Sequence, residues 1–159
     1  MKKQPVVDSI PWSYQGVLVT PESIPSWAIG YIYKISKLDE WGNVIKIYIG
    51  KKVLQSKRRT RIGVRAKKAT KTRKTFQTTV KDSGWQHYWS SSNELKEDVK
   101  KCGEMAFKRE IVEWAWSKKY LSFAEVEWQI KLDVLRKDTY NGNILSRFFK
   151  RDLIKPTEQ

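Results

Sequence analysis

Cysteine is almost missing from this chain. Cys102 stands alone, which excludes an internal disulfide and a cysteine-based metal cluster and fits a reducing cytoplasm. Long apolar runs are missing as well. Nothing approaches the roughly 18 residues of a membrane span. The opening Met-Lys-Lys-Gln-Pro has no apolar stretch behind it, unlike a signal peptide. The expectation is a protein acting in the cytoplasm of the cell that makes it. Internal repeats and a second domain are also lacking. The most informative absence is local: residues 51–81 contain no Asp or Glu but thirteen Lys or Arg. That basic stretch has no amphipathic apolar face, which argues against an anionic membrane surface as its partner.

What is present points to a single folded unit. The chain has 159 residues, 40% of them hydrophobic, enough for one domain with its own core. Eight Trp and seven Tyr are many for this length, so some are expected on the surface or in a groove. The net charge is +15, from 32 basic and 17 acidic residues. Such a field draws polyanions, of which nucleic acid is the commonest. Thirteen like charges without an acid repel one another, so the basic segment needs a partner. Most such contacts fall on phosphate and give salt-dependent affinity with little sequence choice.

Periodicity sketches the elements. Residues 1–26 carry four prolines, Pro5, Pro11, Pro21 and Pro25, and read as an irregular N-terminal arm packing on the body. Residues 28–38 are β-rich with alternating Ile29, Tyr31, Tyr33 and Ile35. Asp39-Glu40-Trp41-Gly42-Asn43 reads as a turn, and Val44 to Gly50 as the returning strand of a hairpin. The first part of the basic segment reads as a helical turn or two, and Lys67–Thr79 as a mobile loop that orders on its ligand. A helix over Glu94–Cys102 follows a Ser or Asn cap and stops at Gly103. Ala106–Ala115 alternates as a third strand. A last helix begins near Ser122, whose spacing to Glu125 resembles a capping box, and runs to about Leu135. Its apolar face is read from Val126, Ile130 and Val134. The fold expected is α+β, a small antiparallel sheet of about three strands flanked by helices. The layout is an arm over 1–26, a domain over 27–145 and a C-terminal tail over 146–159.

These elements carry a set of residues that resembles a known family. Ile32-Tyr33 on one strand and Tyr48-Ile49-Gly50 on the next look like the two halves of the GIY-YIG nuclease signature. Arg58 lies ten residues after Tyr48, Glu125 opens Glu125-Val126-Glu127-Trp128 on a late helix, and Asn141 follows sixteen residues on. The resemblance covers about residues 28–145 and is nearest to a phage-encoded, homing-type branch. Two departures stand out. The glycine of the first half lies at Gly30, one residue earlier than in the family, with Tyr31 in its place. The 15-residue spacing from Tyr33 to Tyr48 is longer than usual, and the hairpin loop at 39–43 can absorb the excess.

The resemblance implies a phosphodiesterase, a metal-dependent endonuclease that hydrolyses DNA. Tyr33 would be the general base or would orient the attacking water. Tyr48 would support it, Arg58 would hold the scissile phosphate, Glu125 would bind one Mg²⁺ (or Mn²⁺), and Asn141 would orient the site. A phenol is a poor base near its free pKa of about 10, and the nearby cationic segment is expected to lower Tyr33 toward working pH. Arg59, Arg61 and Arg65 rival Arg58. His87, the only histidine, and Tyr88 are alternative proton carriers, although the family's usual histidine falls nearer Ser90. The expected nucleic-acid contacts are Lys51, Lys52, Arg59, Arg61, Arg65, Lys67 and Lys68. The expected partner is double-stranded DNA, with no membrane and a monomer favoured. Of Trp41, Trp85 and Trp89, two are expected in the core. The alternative reading is a non-catalytic nucleic-acid-binding protein that retains the fold.

Overall fold

The computed structural model describes residues 10–156. Pro5 and the ends of the arm and tail lie outside the described residues. Among the described residues nine strands and three α-helices follow one another: β1 (Trp12–Tyr14), β2 (Val17–Leu18), β3 (Gly30–Leu38), β4 (Val44–Val53), β5 (Gln55–Arg61), α1 (Val64–Thr70), β6 (Phe76–Asp82), α2 (Asn93–Cys102), β7 (Phe107–Ala115), α3 (Lys118–Lys131), β8 (Asn143–Ile144) and β9 (Phe148–Phe149). The class is α+β, as the pattern predicts.

The main sheet is larger than expected, five strands in the order β2-β1-β7-β3-β4. The two additional strands come from the segment read as an irregular arm. β1 pairs parallel with β7 through Trp12↔Arg109 and Tyr14↔Ile111, and turns back through Gln15-Gly16 to β2. Its three residues were too short to show a period, and the prolines around them masked the strand. The β3–β4 hairpin is as expected. Asp39 closes its loop, its Oδ1 accepting from the backbone N–H of Trp41 at 2.9 Å and of Asn43 at 2.8 Å, while Gly42 supplies a φ of +83°.

The two faces of this sheet differ in chemistry. One packs Ile32, Ile49 and Ala115 against Leu121 and Ala124 of α3, with Val134, Leu135 and Ile144 behind. The other is aromatic: Trp12, Tyr31, Tyr33, Tyr48, Trp85 and Trp114 gather with Ile35, Leu95, Phe107 and Ile111. Rings meet edge to face, as at Trp12–Tyr33, 5.3 Å between centroids. This explains much of the tryptophan and tyrosine content. Trp85 is buried, Trp89 packs partly buried on the same cluster, and Trp41 is 81% exposed. Arg109 is sunk in this face between Trp12 and Trp89, 4.6 and 4.8 Å from their rings, and donates to the carbonyls of Tyr88 and Ile10. Burial pushes its pKa down to about 10.

Three local readings change. α2 keeps its cap, Ser92 Oγ accepting from Leu95 N at 3.2 Å, and its stop at Gly103. α3 starts earlier, however, because Ser117 rather than Ser122 caps it, accepting from Tyr120 N at 3.1 Å. It ends at Lys131, and Leu132–Arg136 continues as turns with Asp133 at φ +51°. Its buried stripe is Leu121, Ala124 and Gln129, while Ile130 is 64% exposed. Finally, Lys67–Thr79 is not a loop. Its start belongs to α1, rich in Ala and Lys, and its end to β6, whose Thr78, Thr79 and Val80 favour strand. β6 pairs with β5 along seven residues, so the basic segment forms a separate two-stranded ribbon with a helix at its tip.

The buried phenols make a pH prediction. Burial raises Tyr31, Tyr33 and Tyr140 above the ordinary value of about 10, and Tyr120, donating to Glu113, is pushed up to about 12. Unfolded chains release these protons near pH 10 while the folded chain keeps them. The stabilising difference is therefore complete below pH 10 and shrinks as pH rises above it. Each such buried phenol removes up to about 1.4 kcal/mol per pH unit above that point. Urea midpoints measured from pH 8 to 11 are expected to hold steady and then drop, together with a cooperative rise in tyrosinate absorbance. A flat profile through pH 11 contradicts it.

Candidate active site

β4 is an outer strand of the main sheet, and its free edge is closed by the Tyr140-Asn141 segment and Gln129 instead of another strand. Asn141 makes two of these closing hydrogen bonds. Its Oδ1 accepts from Ile49 N at 2.9 Å, and its Nδ2 donates to Ile49 O at 2.8 Å, so the amide copies the pairing of a neighbouring strand. Gln129 from α3 donates to the same carbonyl at 3.3 Å, and Tyr140 N donates to Ile47 O at 2.9 Å. Tyr140 is itself pinned, donating to Asp98 at 2.5 Å, where Lys37 also binds at 3.1 Å. Ile49 lies between Tyr48 and Gly50, so this clamp sets the backbone of the second signature half. Asn141→Ala leaves a buried N–H without an acceptor, at about 1–3 kcal/mol. Its denaturation midpoint is expected to fall accordingly, and a shift under 0.5 kcal/mol would show that water replaces the amide.

Beside this edge lies an open hollow of about 460 Å³ lined by Tyr48, Lys51, Ser91, Glu125, Asn141 and their neighbours. The Tyr48 hydroxyl shares a 2.9 Å hydrogen bond with Ser91 Oγ. Glu125 reaches in from α3, and Lys51 from β4 meets it at 2.9 Å while donating to Ser122 Oγ at 3.1 Å. Tyr48 and Lys51 sit on opposite faces of the strand, and the hollow wraps the edge so that both reach it.

Tyr33 stands one layer behind. It pairs across from Gly50, and its ring lies on that glycine. A Cβ at Gly50 would be 2.5 Å from the Tyr33 hydroxyl and 2.8 Å from the Tyr48 ring, so no side chain fits there. A register shift against β7 between Ile32 and Tyr33 re-aims the strand at this point. Tyr48 and Tyr88 crowd the same ring at 6.0 and 5.9 Å. Gly30 is the counterpart on β3: a Cβ there would be 2.6 Å from the Lys52 carbonyl. The displaced glycine is therefore a packing requirement of this strand pair.

The electrostatics differ from the expectation. The Tyr33 hydroxyl is not lowered by the cationic segment; burial pushes it well up, helped by Tyr48 and Tyr88. Tyr48 is raised as well, chiefly by burial, although its bond to Ser91 pulls the other way. The basic residues stand out on the ribbon, across water, and burial dominates. Both rings are neutral phenols near pH 7.

The structure brings together Tyr48, Glu125 and Asn141, with Tyr33 behind them. It does not bring Arg58 or His87. Arg58 is exposed on β5 opposite Thr79, because the chain leaves the sheet at Leu54 and enters the ribbon. His87 is exposed in a short turn, whereas Tyr88 next to it packs on Tyr33. Lys51 and Lys52 are engaged within the protein, Lys51 with Glu125 and Lys52 4.0 Å over the Tyr88 ring. Arg59, Arg61, Arg65 and Lys68 are exposed on the ribbon and its tip, with Lys67 half-buried beside them. Ser91 and Gln129 are lining groups that sequence reasoning missed. Ser91 lies next to Ser90, where the family's histidine would fall.

Among the described residues no cluster of three or more His, Cys, Asp or Glu exists. Oxygen-bearing groups line the hollow, Tyr48, Ser91, Glu125 and Asn141 among them, with Glu125 its one carboxylate. Its single carboxylate already holds a positive group, the Lys51 ammonium, beside the hydroxyl of Ser122. A magnesium ion that keeps most of its waters takes one such carboxylate, and here it would compete with the Lys51 ammonium for it. Among the described residues no helix is long and apolar enough to cross a membrane.

No curated protein and no solved structure matches the chain. A family model described as "Putative endonuclease segE, GIY-YIG domain" matches residues 12–149, from β1 through β9 and across every residue of the hollow. The chain belongs to the segE group of GIY-YIG endonuclease domains.

Proposed function

We propose that this protein is a metal-dependent DNA endonuclease, of a phage-encoded homing-type or DNA-degrading kind, whose reaction centre is the hollow at the edge of β4. The observation that carries the reading is the meeting of the Tyr48 hydroxyl, the Glu125 carboxylate and the Lys51 ammonium in one open, polar concavity backed by Tyr33. Nucleic acid is the substrate class that a nuclease domain implies, and the charge of +15 supports it.

Glu125, with Ser122 beside it, would hold the divalent ion, which when bound supplies Lewis-acid stabilisation of phosphate charge. Lys51, which meets Glu125 at 2.9 Å, would hold a phosphate oxygen, a task suited to a compact ammonium. Tyr48, kept neutral by burial, orients the attacking water through its hydroxyl, with Ser91 fixing the ring's direction. Tyr33 sets the position of Tyr48 across Gly50. Asn141 keeps the Tyr48–Gly50 backbone in place. In this scheme the phenols work as hydrogen-bonding groups, because their raised pKa values oppose a phenolate base.

The test is nicking of supercoiled plasmid by the full chain, with Mg²⁺ and with EDTA. Nicked circles only with the metal support the reading. Binding without nicking supports the alternative, a non-catalytic nucleic-acid-binding protein, which is favoured by one observation: the phosphate-holding arginine expected at Arg58 lies outside the hollow.

A further inference from the structure

The β5–β6 ribbon has two unlike faces. Opposed residues share a face, as do alternate residues along each strand. The register Lys57↔Val80, Arg59↔Thr78 and Arg61↔Phe76 gathers the apolar Phe76 and Val80 on one side. There the Arg59 guanidinium lies 4.2 Å over the Phe76 ring, while Phe76 and Val80 stay 43% and 50% exposed. The register Ser56↔Lys81, Arg58↔Thr79 and Thr60↔Gln77 makes the other face wholly polar, with no acid. Among the described residues, the side chains of Arg58, Thr60, Gln77 and Thr79 make no hydrogen bond or ion pair. The ribbon pairs with no strand of the main sheet, and every residue of β5 and β6 except Thr60 is exposed, so both faces are open.

We propose that the β5–β6 ribbon enters the major groove of duplex DNA with its polar face, Arg58, Thr60, Gln77 and Thr79, against the base edges, and so selects where the enzyme cuts. The inference deepens the reading of the protein as a DNA endonuclease and rests on it. Two strands about 5 Å apart and seven residues long, about 20 Å, fit a groove about 12 Å wide that admits a two-stranded ribbon. The side chains match the code there: guanidinium to guanine, carboxamide to adenine, and threonine methyl to the thymine methyl. The helix α1 at the tip, with Arg65, Lys67 and Lys68, lies where flanking phosphates would run. A face built only to neutralise phosphate needs no glutamine and no threonine pair, whereas this one alternates them with single cations.

The test selects bound duplexes from a pool with a randomised central stretch, using full-length protein in EDTA so that cutting is not required. Enrichment of a short sequence is expected. Arg58→Ala and Gln77→Ala are each expected to lower discrimination at one or two positions about 10-fold, with a small change in overall salt dependence. Lys68→Ala is expected to weaken all sequences alike and to reduce the salt slope by about one. Absence of enrichment, or enrichment unchanged in both ribbon variants, overturns the proposal. So does a change of oligomeric state in those variants by light scattering, since the ribbon's free edges would then serve a second copy of the chain. Enrichment without plasmid nicking leaves groove reading intact and removes hydrolysis. Nicking without enrichment does the reverse.

Discussion

Glu125→Ala is expected to lower Mg²⁺-dependent plasmid nicking on the order of 10³-fold, about 4 kcal/mol of transition-state stabilisation. The same variant is expected to bind duplex DNA as well as or better than the parent chain. The change removes the carboxylate that faces the hollow from α3 and frees the Lys51 ammonium held on it at 2.9 Å. Loss of a negative charge beside a phosphate site favours binding, while loss of the cation ligand disfavours cutting, so the two readouts move in opposite directions. Filter binding and nicking on the same preparations check this. Nicking within 3-fold of the parent would place the reaction elsewhere, and loss of both activities would indicate that Glu125 supports the fold. Side-chain partners make the second outcome unexpected: Glu125 is half-buried at the rim, and α3 is anchored by Leu121 and Ala124.

The other large effect concerns stability. Trp12→Ala is expected to cost about 3–5 kcal/mol, a large part of the 5–15 kcal/mol that holds a domain of this size. Trp12 is 2% exposed. Its ring touches Tyr31 and Tyr33 at 5.4 and 5.3 Å, Nε1 donates to Trp85 O at 2.9 Å, and the Arg109 guanidinium packs on its face. Removing it opens a void behind Tyr33 and strands a buried cation. Urea denaturation followed by far-UV circular dichroism measures the cost. A loss below 1 kcal/mol would mean that β1 is a decoration on the sheet and not part of its core.

These two residues also show where sequence reading succeeds and where it stops. Glu125 came from the family resemblance, and the structure places its carboxylate in the hollow with Tyr48 and Asn141. Trp12 was not legible, because a three-residue strand between prolines has no measurable period, and its parallel partner β7 lies nearly a hundred residues away. Asn141 was legible as a residue of interest but not as a clamp. A turn asparagine shows nothing of the strand edge it will meet. Arg58 keeps the expected count from Tyr48, but β4 ends at Val53 and the chain turns out into the ribbon, so the side chain lies away from the hollow. Charge makes Lys67–Thr79 read as a loop, whereas the β-branched Thr78-Thr79-Val80 run carries its end into β6.

Local pattern therefore determined the class of the fold, the β3–β4 hairpin, the cap and stop of α2, and the residue types available for phosphodiester chemistry. It also set the polyanion-seeking charge, since composition is indifferent to folding. Tertiary structure alone decided which of those residues share a hollow, that Tyr48 lines it with Tyr33 behind, and that burial moves both phenols up, away from phenolate. Burial and strand-edge closure are properties of contacts distant in sequence, and no spacing along the chain encodes how deep a hydroxyl will lie.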